Sequence, residues 1–232
     1  MATTNSASPG PPRAAPAGTE SASSLPFGPF SFGSFLFFGA LAFLALAFSL
    51  PALLFGRRAV LGLIYQRGGI GSGEVWRLLT GHGVHLEVTH LVWNLVALGV
   101  VALLFGSRFS SLQWTGIALV TAMGCGLGLW FLSPQVIAMV GLSGLLHGLL
   151  AAGALGTAAA GRATGWFALA LLVAKLALEQ GGLSLPGAAV SSAEIAVEAH
   201  LYGAISGFLV GGALVFRPPG SPSPQEVESQ SG

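Results

Sequence analysis

From Phe109 to Gly161 the chain carries no Asp, Glu, Lys or Arg, and the same holds from Ser21 to Gly56. Soluble domains carry about a quarter of their residues as charges. Here the share is 7% of 232 residues, with 53% hydrophobic. Uncharged apolar runs of this length fit the hydrocarbon core of a bilayer, where each spanning helix takes ~20 apolar residues. The chain therefore reads as an integral membrane protein.

The breaks between the runs divide it into six spans. The first covers 33–55 and the second 88–106. Ser133-Pro134-Gln135 splits the long uncharged run into spans at 112–132 and 142–160, and Arg162 closes the fourth. A short fifth span, 164–179, is interrupted by Lys175, and the sixth is 199–216. A polar connection, 57–87, holds most of the loop charge, and a Gly/Ser/Pro-rich loop, 180–197, precedes the last span. Residues 1–26 and 217–232 are rich in Pro, Ser, Ala and Gly or polar residues and read as disordered tails. This leaves 27–216 as one membrane domain, and the expected fold class is an all-α, polytopic six-helix bundle. The first span has a rival reading as a cleaved signal peptide; its loss would leave spans two to six in the same mutual arrangement.

Composition excludes several functions. A formal net charge of +1 and the lack of any polybasic run give no footing for nucleic acid. The single Cys125 excludes an intramolecular disulfide and a Cys-rich metal site. All eight acids are Glu, with no Asp. A Ser-His-Asp triad is thus impossible, and so is a membrane protease built on two aspartates. Serine chemistry here must be a dyad or must take Glu as the orienting group.

Polar residues inside membrane spans are functional candidates by default. Ser143 lies in GLSG (Gly141 to Gly144) at the start of the fourth span, and His200 in AHLYG at the start of the sixth. His90 and Asn94, one turn apart, open the second. Even-numbered spans enter from the same side, so these groups share one depth. A helix beginning at Ser143 leaves backbone N–H groups unpaired around it, suited to an oxyanion; the bland alternative is a simple helix cap. Gly203, Gly207 and Gly211 form a small-residue stripe that matches Gly144, Gly148 and Ala152, and such stripes let helices approach closely. An imidazole at 200 could then reach the hydroxyl at 143. His147 falls one turn after Ser143 on the same face. Trp76-Arg77 could anchor the loop, the guanidinium offering five donors to loop carbonyls. His82 and His85 lack the His-Glu-x-x-His spacing of a zinc protease and are read as packing groups beside a route for water. Lys175 and Glu179, spaced i, i+4, are expected to pair with each other, and Glu198 could act on His200 from the loop. No cofactor and no metal are expected.

Orientation follows the positive-inside rule only in part. Arg13, Arg108, Arg162 and Arg217 fall on one side and Arg57, Arg58, Arg67 and Arg77 on the other. The loop before the sixth span holds Glu but no Lys or Arg, which favours both termini inside and the polar cluster facing outward.

The run WRLLTGHGVHLEVTHLVWN (Trp76 to Asn94), followed by GLSG and AHLYG, resembles the rhomboid intramembrane serine proteases. The resemblance covers about 57–216. It implies a six-helix rhomboid-like domain and a serine endopeptidase acting on membrane-anchored proteins within the lipid bilayer. Ser143 would be the nucleophile and His200 the general base. His90, Asn94 and the Ser143 N–H would form the oxyanion hole, with Gly141 and His147 in support and Trp76 and Arg77 shaping the first loop. Substrates would enter between the second and fifth spans. Where many rhomboids carry Tyr one turn after the serine, this chain has His147. With GLSGLLHG and THLVWN, that feature resembles the rhombosortase branch. It implies exported substrates with a C-terminal Gly-Gly, transmembrane helix and basic tail, released from a bacterial inner membrane. With no acid assigned to it, His200 is expected to be held by packing against His147 or Tyr202, and turnover to be slow. An inactive rhomboid-like protein that escorts membrane clients is the main alternative.

Overall fold

The structure, a computed structural model, describes residues 32–183 and 196–216. Both expected tails and most of the 180–197 loop lie outside these. In chain order the elements are α1 (Phe32–Phe55), β1 (Tyr65–Gln66), α2 (Arg67–Gly71), α3 (Arg77–Thr80), α4 (Val88–Phe105), α5 (Ser111–Leu132), β2 (Ala138–Met139), α6 (Ser143–Ala159), α7 (Ala163–Gln180) and α8 (Val197–Val215). Every expected span has its helix, with ends within two residues of those read from the sequence.

The boundaries have local causes. Ser110 accepts from the Gln113 N–H while the Gln113 side chain accepts from Ser110 N–H, a capping box that starts α5. At the other end of α5, Arg67 donates to the Leu129 and Trp130 carbonyls and lies over the Trp130 ring at 4.7 Å. It thereby satisfies carbonyls that a helix end leaves free.

Among the described residues, five helices, α1, α4, α5, α7 and α8, are long and apolar enough to cross a membrane. The sixth, α6, has 17 residues. At 1.5 Å per residue it rises about 26 Å, less than the ~30 Å hydrocarbon core. It can be short because it is central: α4, α5, α7 and α8 all pack on it, and nearly all its side chains from Gly144 to Ala158 are buried. Protein rather than lipid surrounds most of its length, and Ser143 at its start is half-buried.

The two small-residue stripes meet as backbone contacts. A Cβ at Gly203 would stand 2.0 Å from the Gly144 carbonyl oxygen, and one at Gly207 2.1 Å from that of Gly148. One at Gly211 would stand 2.8 Å from the Ala152 Cα. No side chain fits between α6 and α8 along this seam.

The 57–87 connection is folded over one end of the bundle. Arg77, 5% exposed, donates to the carbonyls of Leu61 and Ile64 and to the Glu74 carboxylate. Trp76 Nε1 donates to Gly62 O at 3.0 Å. β1 pairs antiparallel with β2, Tyr65 opposite Met139, and the Gly141 N–H donates to Gly81 O. The first loop is thus stitched to the turn that carries Ser143. The first span is bound into the same region: Ser49 of α1 hydrogen-bonds both the ring and the backbone N–H of His85.

Candidate active site

Gly141 has φ +108°, a left-handed conformation that side chains disfavour. A Cβ there would also stand 2.5 Å from the His90 ring. This sharp turn brings the chain into α6 with Ser143 as its first residue. The helix's opening bond runs from Leu146 N–H to Leu142 O, so the N–H groups of Ser143, Gly144 and Leu145 have no intrahelical acceptor. His200 lies in the first turn of α8, 5% exposed. The close α6–α8 seam brings its Nε2 to 3.0 Å from Ser143 Oγ, across 57 positions of sequence.

His200 Nδ1 lies 3.0 Å from Glu179 Oε2, at the end of α7. This corrects the expectation that His200 is held by packing alone. Glu179 does pair with Lys175, at 2.5 Å through Oε1, but its second oxygen meets the imidazole. A carboxylate only accepts, so Nδ1 carries the proton and Nε2 presents its lone pair to the serine hydroxyl. That is the tautomer a general base requires. Sequence reasoning saw the i, i+4 spacing and stopped there. The signal available was the absence of Asp, which had left Glu as the sole acid able to orient a histidine.

His147 stacks on His200, ring centres 4.2 Å apart and planes 13° apart, and its Nδ1 donates to the Ser143 carbonyl at 2.7 Å. Tyr202 does not hold His200; its hydroxyl meets Ser133 Oγ. Glu198 pairs with Gln135 rather than acting on His200. His147, Glu179 and His200 could each offer a ligand atom, all within 4.8 Å of one another. Stacked imidazoles, however, direct their in-plane lone pairs side by side rather than at one point, a poor match to the tetrahedral geometry of zinc.

His90 lies against Gly141, its ring 5.0 Å from that of His85. Asn94 is buried, and its amide faces His85 Nε2 at 3.0 Å and donates to His90 O at 3.1 Å. His85 Nε2 also accepts the Leu142 N–H at 3.3 Å. A nitrogen that accepts a backbone donor is unprotonated, so His85 is neutral, with its proton on Nδ1 toward Ser49 Oγ. Burial, aided by the neighbouring His90, pushes His85 down to about 3. His82 is 2% exposed, donates to Ala122 O at 3.2 Å, and is pushed down to about 4 by burial. Both residues sit in packed interior, in keeping with their reading as packing groups. His85, which the sequence reading treated as packing, is the junction of α1, α4 and the Gly141–Ser143 turn.

The family model of the Rhomboid domain matches residues 72–217, well over half of the chain. The chain belongs to the rhomboid family. The match begins just before Trp76 and runs through α8, so it includes Ser143, His200, Glu179, His147, His90 and Asn94 but not Ser49 of α1. No curated protein matches the sequence. Rhomboids are generally serine intramembrane proteases that act on membrane proteins within the bilayer. With its apolar helices, this rhomboid is an integral, multi-pass membrane protein.

Proposed function

We propose that this rhomboid is a serine endopeptidase that cleaves membrane-anchored proteins, with Ser143 as nucleophile and His200 as general base. The observation that carries the reading is the 3.0 Å Nε2–Oγ contact, made by an imidazole in the proton-accepting tautomer. Ser143 Oγ attacks the scissile carbonyl carbon while its proton passes to Nε2. The carbonyl oxygen becomes an oxyanion, met by free N–H groups at the start of α6 and by His90. One such donor is typically worth ~2.7–4 kcal/mol in the transition state. Asn94 supports this side by fixing His85, which in turn holds the Leu142 N–H. The tetrahedral intermediate collapses, the C–N bond breaks, and Nε2–H protonates the departing amine. Water then attacks the acyl enzyme with His200 again as base, and Ser143 recovers its proton.

The substrates proposed are exported proteins carrying a C-terminal Gly-Gly, a transmembrane helix and a basic tail, cut near the Gly-Gly. His147 at the position of the usual Tyr, with the surrounding GLSGLLHG, supports this narrower rhombosortase-like reading. The site would face the periplasm of a bacterial inner membrane. Labelling the detergent-purified protein with a fluorophosphonate tests the chemistry. Ser143 should be modified, and both Ser143→Ala and His200→Ala should abolish modification. Labelling that survives Ser143→Ala would refute the reading. Coexpression with a Gly-Gly client, against one whose glycines are replaced by Val, tests the substrate class.

A further inference from the structure

We propose that Glu179, anchored by Lys175, is a positioning residue for His200, so that the site works as a Ser–His–Glu array rather than as a dyad. The inference rests on the protease reading above and adds to it a part supplied by α7.

Three observations carry it. First, the Glu179 side chain is 7% exposed, and both its oxygens have polar partners: Lys175 Nζ on one and His200 Nδ1 on the other. A carboxylate within a membrane protein is costly unless paired and fully hydrogen-bonded, and this one meets that condition only because it faces His200. A plain i, i+4 staple on the outer face of α7 would need no buried carboxylate. Lys175, by contrast, is 35% exposed, so the pair points its acid inward and its base outward. Second, the two restraints on His200 are complementary. The His147 stack fixes the plane of the ring, and the Glu179 bond fixes its rotation within that plane. Third, that bond selects the Nδ1–H tautomer, and when Nε2 takes the serine proton the resulting imidazolium lies beside an anion. In serine proteases this partner holds the histidine and stabilises its charged form without itself becoming protonated. Glutamate is one methylene longer than aspartate, which suits delivery from the neighbouring helix.

The titratable groups that face His200 are His90 from α4, Ser143 and His147 from α6, and Glu179 from α7, with Lys175 behind Glu179, while the Cys125 thiol of α5 meets the carbonyl of the preceding Ala199. Among the described residues, only Glu179 brings a negative charge against the ring. The test uses the full-length protein in detergent and measures the fluorophosphonate labelling rate against pH, with the thermal midpoint, for wild type, Ser143→Ala, Glu179→Gln and Glu179→Asp. Glu179→Gln should label about 10²-fold or more slowly, with a folded-state melting transition retained. Its acid limb should move toward lower pH, because a nearby anion favours the protonated imidazole; a purely structural defect would lower the amplitude and leave the limb in place. Glu179→Asp should recover part of the rate. Labelling of Glu179→Gln at the wild-type rate with an unmoved limb would overturn the inference while leaving the protease reading intact. Wild type that fails to label would instead remove that reading. Should Glu179→Gln fail to fold, Lys175→Met reports in its place: a slower rate with a displaced limb is expected, and an unchanged profile would overturn the inference.

Discussion

At the scale of single residues, His85 decides whether the serine turn keeps its shape. Its ring accepts from Leu142 N–H and faces the Asn94 amide and Ser49 hydroxyl. His85→Ala would leave a buried backbone donor and a buried amide without this partner, each costing ~1–3 kcal/mol. The expected result is a thermal midpoint lower by several degrees, together with slower labelling of Ser143, since Leu142 precedes it. An unaltered midpoint would show that the junction carries no load. The same residue sets a pH dependence. His85 and His82 are held down to about 3 and about 4 when folded, against 6.5 when exposed. Above pH 6.5 both are neutral in either state. As pH falls below 6.5 the unfolded chain binds protons that the folded chain refuses, so stability is lost on acidification. The loss approaches about 1.4 kcal/mol per pH unit for each histidine within that window. Melting measured from pH 7.5 to pH 5 should show a falling midpoint, and a flat profile would contradict the burial described.

At the scale of elements, the seam between α6 and α8 sets the Ser143–His200 distance. Gly203→Ala places a methyl 2.0 Å from the Gly144 oxygen, where only backbone movement can relieve the clash. The helices must part just where the hydroxyl and imidazole meet, and misplacement by about 1 Å costs roughly 10²-fold in rate. Gly99→Ala, in α4 with nothing within 4 Å of the added Cβ, should leave labelling unchanged. Equal effects of the two substitutions would argue against the seam as the determinant. This seam was legible in the sequence because glycines spaced by four fall on one helical face, and a face made only of hydrogen has one structural use in a membrane. Ser143, His200 and His90 were legible for a related reason: their placement at matching depths follows from counting spans. Glu179 was not legible as a partner of His200. The i, i+4 spacing to Lys175 is a local fact, whereas the rotation of α7 that turns the acid toward α8 depends on packing between helices. The Asn94–His85 bond was not legible either, since nothing in their spacing reveals that the loop folds back so that one meets the other.

At the scale of the whole molecule, the question is how a membrane-embedded chain reaches a half-buried serine. The helices do not enclose α6 uniformly. Among the described elements, α7 packs on α6 and α8, while α4 packs on α1 and α6. Between α4 and α7 lies an apolar groove of about 420 Å³, lined by Leu104 and Phe105 on one wall and by Phe167, Leu171 and Leu172 on the other. Lys175 lies at the end nearest the site and Arg162 at the far end. The proposed lateral entry of a substrate helix would meet this face, and because α7 also carries Glu179, entry and the set of His200 would then share one element. Filling the groove separates the two routes to Ser143. Leu171→Trp adds bulk at a side chain 55% exposed, away from the α6–α8 seam, and should leave the fold intact. It is expected to raise KM for a membrane-anchored client several-fold while the small fluorophosphonate, which needs no lateral passage, labels Ser143 at the wild-type rate. Equal slowing of both reactions would mean that α7 had been displaced from His200. An unchanged client KM would mean that substrates do not pass between α4 and α7.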